Sequence, residues 1–69
     1  MPKLPRYTGK EMIALLVKRG FSIARIRGSH HVLVKGELHT TVPVHGNGLL
    51  RIGTLRGILR DTKILPEEL

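Results

Sequence analysis

The sequence predicts a small α+β fold ordered α-β-β-β-α: a three-stranded antiparallel sheet with two helices on one face. Three observations carry this prediction. Apolar residues recur at helical spacing near each end of the chain. Three short runs rich in β-formers stand between those ends, and a two-residue turn signal parts each run from the next.

Met1 to Arg6 holds two prolines and two cations, so residues 1–7 are expected to form an extended arm. Thr8-Gly9-Lys10-Glu11 then fits a capping box, and Tyr7 and Met12 fall where a hydrophobic staple pairs them. Met12, Ile13, Leu16 and Val17 keep helical spacing and Gly20 supplies the stop, which predicts a helix over Gly9–Arg19. From Phe21 the period changes. Phe21–Arg27 reads as a strand closed by Gly28-Ser29, and His30–Lys35 as a second closed by Gly36-Glu37. Leu38–Val42 is the third, ended by Pro43 in keeping with a strand end or an edge. His45-Gly46-Asn47-Gly48 reads as a loop. Leu49 to Thr62 returns to helical spacing, with Ile52, Leu55, Ile58 and Leu59 on one face and Arg56, Arg60 and Lys63 on a neighbouring stripe. Residues 64–69 form a short tail in which Pro66 can open one more helical turn.

Length and charge narrow the class. At 69 residues the expectation is a single domain over 1–69, burying only roughly 60% of its unfolded surface. Cysteine is absent, which excludes a disulfide framework, a thiolate nucleophile and a zinc–thiolate site. No apolar run approaches the roughly 18 residues needed to span a membrane, and the start lacks the apolar stretch of a signal peptide, so a cytoplasmic protein is expected. Twelve Lys and Arg stand against five Asp and Glu, a formal net charge of +7. Three of those acids (Asp61, Glu67, Glu68) lie at the C-terminal end. That imbalance points to a polyanionic partner, a nucleic acid before a small substrate or a membrane surface.

The chemistry-bearing residues gather at the predicted turn between the first two strands, in Gly28-Ser29-His30-His31. Histidine alone has an ordinary pKa that lets it exchange protons near neutrality. Successive strand side chains diverge, so one of His30 and His31 faces the helices and the other faces solvent; the apolar Val32, Leu33 and Val34 do not say which. Gly28 and Ser29 let a backbone approach a phosphate and offer N–H and hydroxyl donors. His45 lies in the loop after the third strand, and His39, within that strand, suits cross-strand packing. No His-x₃-His spacing and no cysteine are present, so neither a metal site nor a cofactor is expected. There is no close carboxylate pair, no Gly-x-Ser-x-Gly elbow and no phosphate-binding P-loop. Tyr7 and Phe21 are the only aromatics, which leaves no base-stacking platform.

RNA suits this equipment. A neutral histidine can take the proton of a 2′-hydroxyl, which then attacks the adjacent phosphorus, while cations and turn N–H groups stabilise the charge on phosphoryl oxygens. Arg25, Arg27, Lys35, Arg56 and Arg60 are the candidate RNA-gripping residues. The second proton carrier stays open among His31, His45, Ser29 and water. Two other readings remain open at this stage. One is a non-catalytic RNA-binding module, and the other is a basic surface that holds an acidic protein.

The element order is that of double-stranded-RNA-binding domains. Gly28-Ser29-His30-His31 after the first strand, Val42-Pro43-Val44-His45 closing the third and Gly53-Thr54-Leu55-Arg56-Gly57-Ile58-Leu59 in the second helix together resemble the HicA (YcfA-like) toxin family. The likeness also takes in Gly9-Lys10-Glu11 and Gly20-Phe21, and it spans residues 8–60. It implies a double-stranded-RNA-binding-like fold, a metal-independent mRNA interferase and a HicB-type antitoxin that covers the active site. The family's catalytic histidine maps onto His30 and its motif glycine onto Gly28. His45 matches the Pro-x-His position and is carried over only as a neighbour of the site. The chain departs from the family pattern in two places. Ile52 stands after Arg51 where the family often has lysine, and Thr62-Lys63-Ile64 lacks the usual glycine. Both departures bear on the second helix and leave His30 untouched.

Overall fold

A computed structural model describes residues 4–69 and has the predicted order. Helix α1 (Gly9–Lys18) is followed by strands β1 (Ser22–Arg27), β2 (His30–Lys35) and β3 (Leu38–Pro43) and by helix α2 (Ile52–Thr62). A 3-10 turn at Pro66–Glu68 follows, where Pro66 was expected to open a further turn. Of the expected N-terminal arm, Met1–Lys3 lie outside the described residues, and residues 4–7 are neither helix nor strand.

The capping box forms as read. Thr8 Oγ1 accepts from the Glu11 N–H at 3.1 Å, and Glu11 Oε1 accepts from the Thr8 N–H at 2.9 Å. Two donors that would otherwise lack partners are thereby satisfied at the helix start. At the other end Gly20 takes a positive φ of 99°, so the Phe21 N–H donates to the Leu16 carbonyl at 2.9 Å. That turn swings Phe21 out of the strand predicted for it and into the core, where it is buried. α2 ends the same way. Lys63 adopts a left-handed φ of 58° and the Ile64 N–H donates to the Leu59 carbonyl at 3.2 Å, which drops Ile64 into the core.

The sheet is antiparallel in the order β1-β2-β3. Its register decides the two faces. Leu33 pairs with Thr40 and His31 with Val42, and Leu33, Thr40 and Val42 are buried. This is the face the helices cover, with Met12 and Leu16 of α1 and Leu55, Ile58 and Leu59 of α2 completing the core. Burying each such side chain is worth about 1.5–3 kcal/mol. Thr40, polar and buried, donates to Asp61 Oδ2 of α2 at 3.0 Å and so ties that helix to β3.

Two close approaches shape the end of the sheet where the histidines lie. Gly9 is buried against β3, and a methyl group there would run into the Pro43 carbonyl oxygen. α2 starts at Ile52, three residues later than its spacing suggests. Leu49 is drawn away to bridge with Thr8, and the Leu50 N–H donates to the Tyr7 carbonyl at 2.7 Å. At the far end, Glu68 accepts from the Leu65 N–H at 2.9 Å and from Arg19 at 3.0 Å, contacts that hold its carboxyl below the usual range.

Candidate functional site

Turn geometry brings part of the predicted site together at one end of the sheet. Gly28 takes a positive φ of 56°, a conformation other L-residues adopt at a cost of about 1–2 kcal/mol, and nothing crowds the space its side chain would fill. This tight turn sets Arg27 directly opposite His30. On the other side His30 pairs with Pro43, and one residue on, the Val44 N–H donates to the Ser29 carbonyl at 2.7 Å. The loop bearing His45 is thus fastened to the turn bearing Gly28 and Ser29.

The register resolves the two adjacent histidines. His31 shares the helix-covered face with Leu33 and Val42; it is half-buried, and its Nδ1 is shut off from solvent with no hydrogen-bond partner. His30 falls on the opposite, helix-free face and is exposed. Val32 and Val34 of β2 and Thr41 and His39 of β3 share that open face by alternation. Arg25 and Arg27 reach it from β1, because the irregularity at Ala24 resets the alternation so that Arg25 pairs with Val32 and Arg27 with His30. Neither arginine is in an ion pair: among the described residues that interaction is confined to Arg19 and Glu68.

The other predicted gripping residues lie elsewhere. The Lys35 ammonium donates to the Arg19 carbonyl at 2.8 Å and sits 5.8 Å from the centre of the Phe21 ring, at the end of the sheet away from His30. Arg56 and Arg60 are exposed on α2, in the helical layer, where with Lys63 they border a groove floored by Leu59, Ile64 and Pro66. The site residues therefore fall into two sets. Gly28, Ser29, His30, His45, Arg25 and Arg27 converge on the open face or its end, whereas His31, Lys35, Arg56 and Arg60 do not.

A second groove lies at the same end of the molecule, lined by Pro43, His45, Leu50, Arg51 and Thr54. Arg51 stands at the N-cap of α2 with no side-chain cap, and the first turn of that helix holds no acid. Both features leave the groove electropositive, since helix N-termini already carry partial positive charge. In the sequence Arg51 and Thr54 enter only through the family likeness and not as expected site residues. The available signal was an arginine directly before a helix start, where Asp, Ser or Thr is the usual choice.

Among the described residues no three His, Asp or Glu side chains gather as a metal site, and no helix is long and apolar enough to cross a membrane. A family model described as the HicA toxin of bacterial toxin-antitoxin matches residues 9–64. No curated protein and no solved structure matches the chain.

Proposed function

The chain belongs to the HicA toxin family of bacterial toxin–antitoxin systems, and from that premise we propose that it is a metal-independent endoribonuclease acting on mRNA, with His30 as its catalytic residue. One observation carries the reading: His30 is exposed on the helix-free face of the sheet, in register with the unpaired Arg27. A general base there meets RNA from open solvent, next to a guanidinium suited to a phosphate.

His30 in its neutral form removes the proton of a 2′-hydroxyl. The 2′-oxygen attacks the adjacent phosphorus, the bond from phosphorus to the 5′-oxygen breaks, and that oxygen leaves with a proton. The products are a 2′,3′-cyclic phosphate and a 5′-hydroxyl. Positioned acid–base help of this kind is worth about 10²–10⁴ in rate. Arg27 and Arg25 hold the phosphoryl oxygens as charge grows on them. The leaving oxygen draws its proton from water or from His45 or Ser29, whose chain segments the Val44–Ser29 hydrogen bond fastens together at the His30 end of the sheet, whereas His31 faces the helices. Arg56 and Arg60 serve a stretch of RNA that wraps onto the helical side, and Lys35 contributes its charge from a fixed position. Ser29, Gly28 and His31 support the site by shaping the turn and seating β2. Within the pair, a HicB-type antitoxin neutralises the toxin by covering this face in the cytoplasm, and the whole chain acts as one domain.

The test is cleavage of a single-stranded RNA in EDTA beside the same sequence with 2′-deoxy sugars. The reading expects RNA cut to cyclic-phosphate ends and the deoxy strand bound but intact. RNA that is bound and left whole would make the chain a binding module, and cutting of the deoxy strand would remove the 2′-hydroxyl from the mechanism.

A further inference from the structure

We propose that the free edge of β1 takes up an extended segment of a protein partner as a fourth strand, and that this segment alternates acidic and apolar residues. β1 pairs only with β2, so its outer row of backbone N–H and C=O groups has no ladder partner in the sheet. All six residues of the strand are exposed. The edge is also two-sided. Ile23 pairs with Leu33 and Ile26 with His31, which puts both on the core face, yet the helices stop short of them and leave them 46% and 57% exposed. Arg25 and Arg27 occupy the other face without an acidic partner. A strand laid along this edge meets an apolar strip on one side and two cations on the other, and only an alternating acidic–apolar sequence satisfies both.

The same features exclude other occupants. A second copy of β1 would set Arg25 and Arg27 against their own counterparts on a chain of net charge +7. Cations and a bulge are also how natural edges resist self-pairing, and the β1 irregularity between Ile23 and Arg25 is such a bulge. RNA could pair with the arginines but would leave Ile23 and Ile26 uncovered and the ladder groups unpaired. The inference rests on the toxin reading only in taking the partner to be the neutralising protein. Its consequence follows from the register: a fourth strand occupies Arg25 and Arg27, the two cations that share the face of His30.

The experiment titrates the ¹⁵N-labelled chain with a synthetic peptide of alternating Glu and Val. The controls are a peptide of the same composition in blocks and one with Lys in place of Glu. The expected result is slowed amide exchange and shifted resonances within Ser22–Arg27 for the alternating acidic peptide, with β3 and α2 unmoved. Ile23→Ser combined with Ile26→Ser should weaken binding about tenfold, the equivalent of roughly 1.4 kcal/mol, and unchanged resonances in the core would show that the variant is folded. Absence of protection at β1, equal binding of the Lys peptide or undiminished binding by the double variant would overturn the proposal. So would the same protection produced by raising the chain's own concentration. Cleavage plays no part in the readout, so failure of the ribonuclease reading and failure of this inference remain separate results.

Discussion

His30 and His31 are neighbours in the chain that one peptide unit sends to opposite sides of a sheet. His30 reaches open solvent beside Arg27, while His31 keeps company with Leu33 and Val42 and carries a buried nitrogen without a partner. An unsatisfied buried polar group costs about 1–3 kcal/mol, so His31 bears on stability, while His30 is the residue proposed for the chemistry. Gly28 is the other residue on which the site turns. With open space around it, its role is purely conformational, and the cost of replacing it comes from φ alone. Gly28→Ala should lower stability by about 1–2 kcal/mol and Gly28→Asn by less, because Asn tolerates the left-handed region. Denaturant titration of the two variants measures the difference. Equal losses would mean that contact, rather than conformation, fixes glycine there. The turn at Gly28-Ser29 and the divergence of the two histidines were legible in the sequence; which of them faces the helices was not. With apolar residues at Val32, Leu33 and Val34, alternation gave both faces of β2 equal claim to the core, and only pairing with β3 decided between them.

The helices show what local sequence can and cannot fix. α1 begins on a complete capping box and ends at a glycine, and it lies within one residue of its predicted span. α2 has neither advantage. Its start lies later than the spacing suggests because Leu49 and Leu50 carry helical spacing but are spent on contacts with Thr8 and Tyr7, which no local pattern announces. Its end repeats the geometry at the end of α1 with Lys63 in the place of a glycine, a left-handed residue that bears a side chain. Lys63→Gly removes that strain and adds some chain entropy to the unfolded state, so a net gain of about 0.5–1 kcal/mol is expected. Thermal unfolding reads it directly. An unchanged or lowered Tm would show that Lys63 contributes a compensating contact. The sheet was predicted strand for strand, save that Phe21 belongs to the turn and core and that β3 includes Pro43.

At the scale of the whole molecule, charge and layering divide the surface. Both helices lie on one side of three strands, so the other side of the sheet is left open and carries Arg25, Arg27 and His30. Net charge was readable from composition, but its division between an open sheet face and a helical layer was not. Five cations were equally plausible as RNA contacts until the fold separated Arg25 and Arg27 from Lys35, Arg56 and Arg60. Each phosphate neutralised on a single strand contributes about −0.7 to the log–log salt slope of binding. Central to the account is the claim that this open face cuts RNA through His30. The most direct test measures single-turnover cleavage of one RNA by wild type, His30→Ala and His31→Gln, with binding followed in parallel. The account predicts that His30→Ala binds RNA but cuts at least about 10²-fold more slowly, while His31→Gln, where folded, cuts near the wild-type rate. Undiminished cleavage by His30→Ala, or an equal loss in folded His31→Gln, would contradict it.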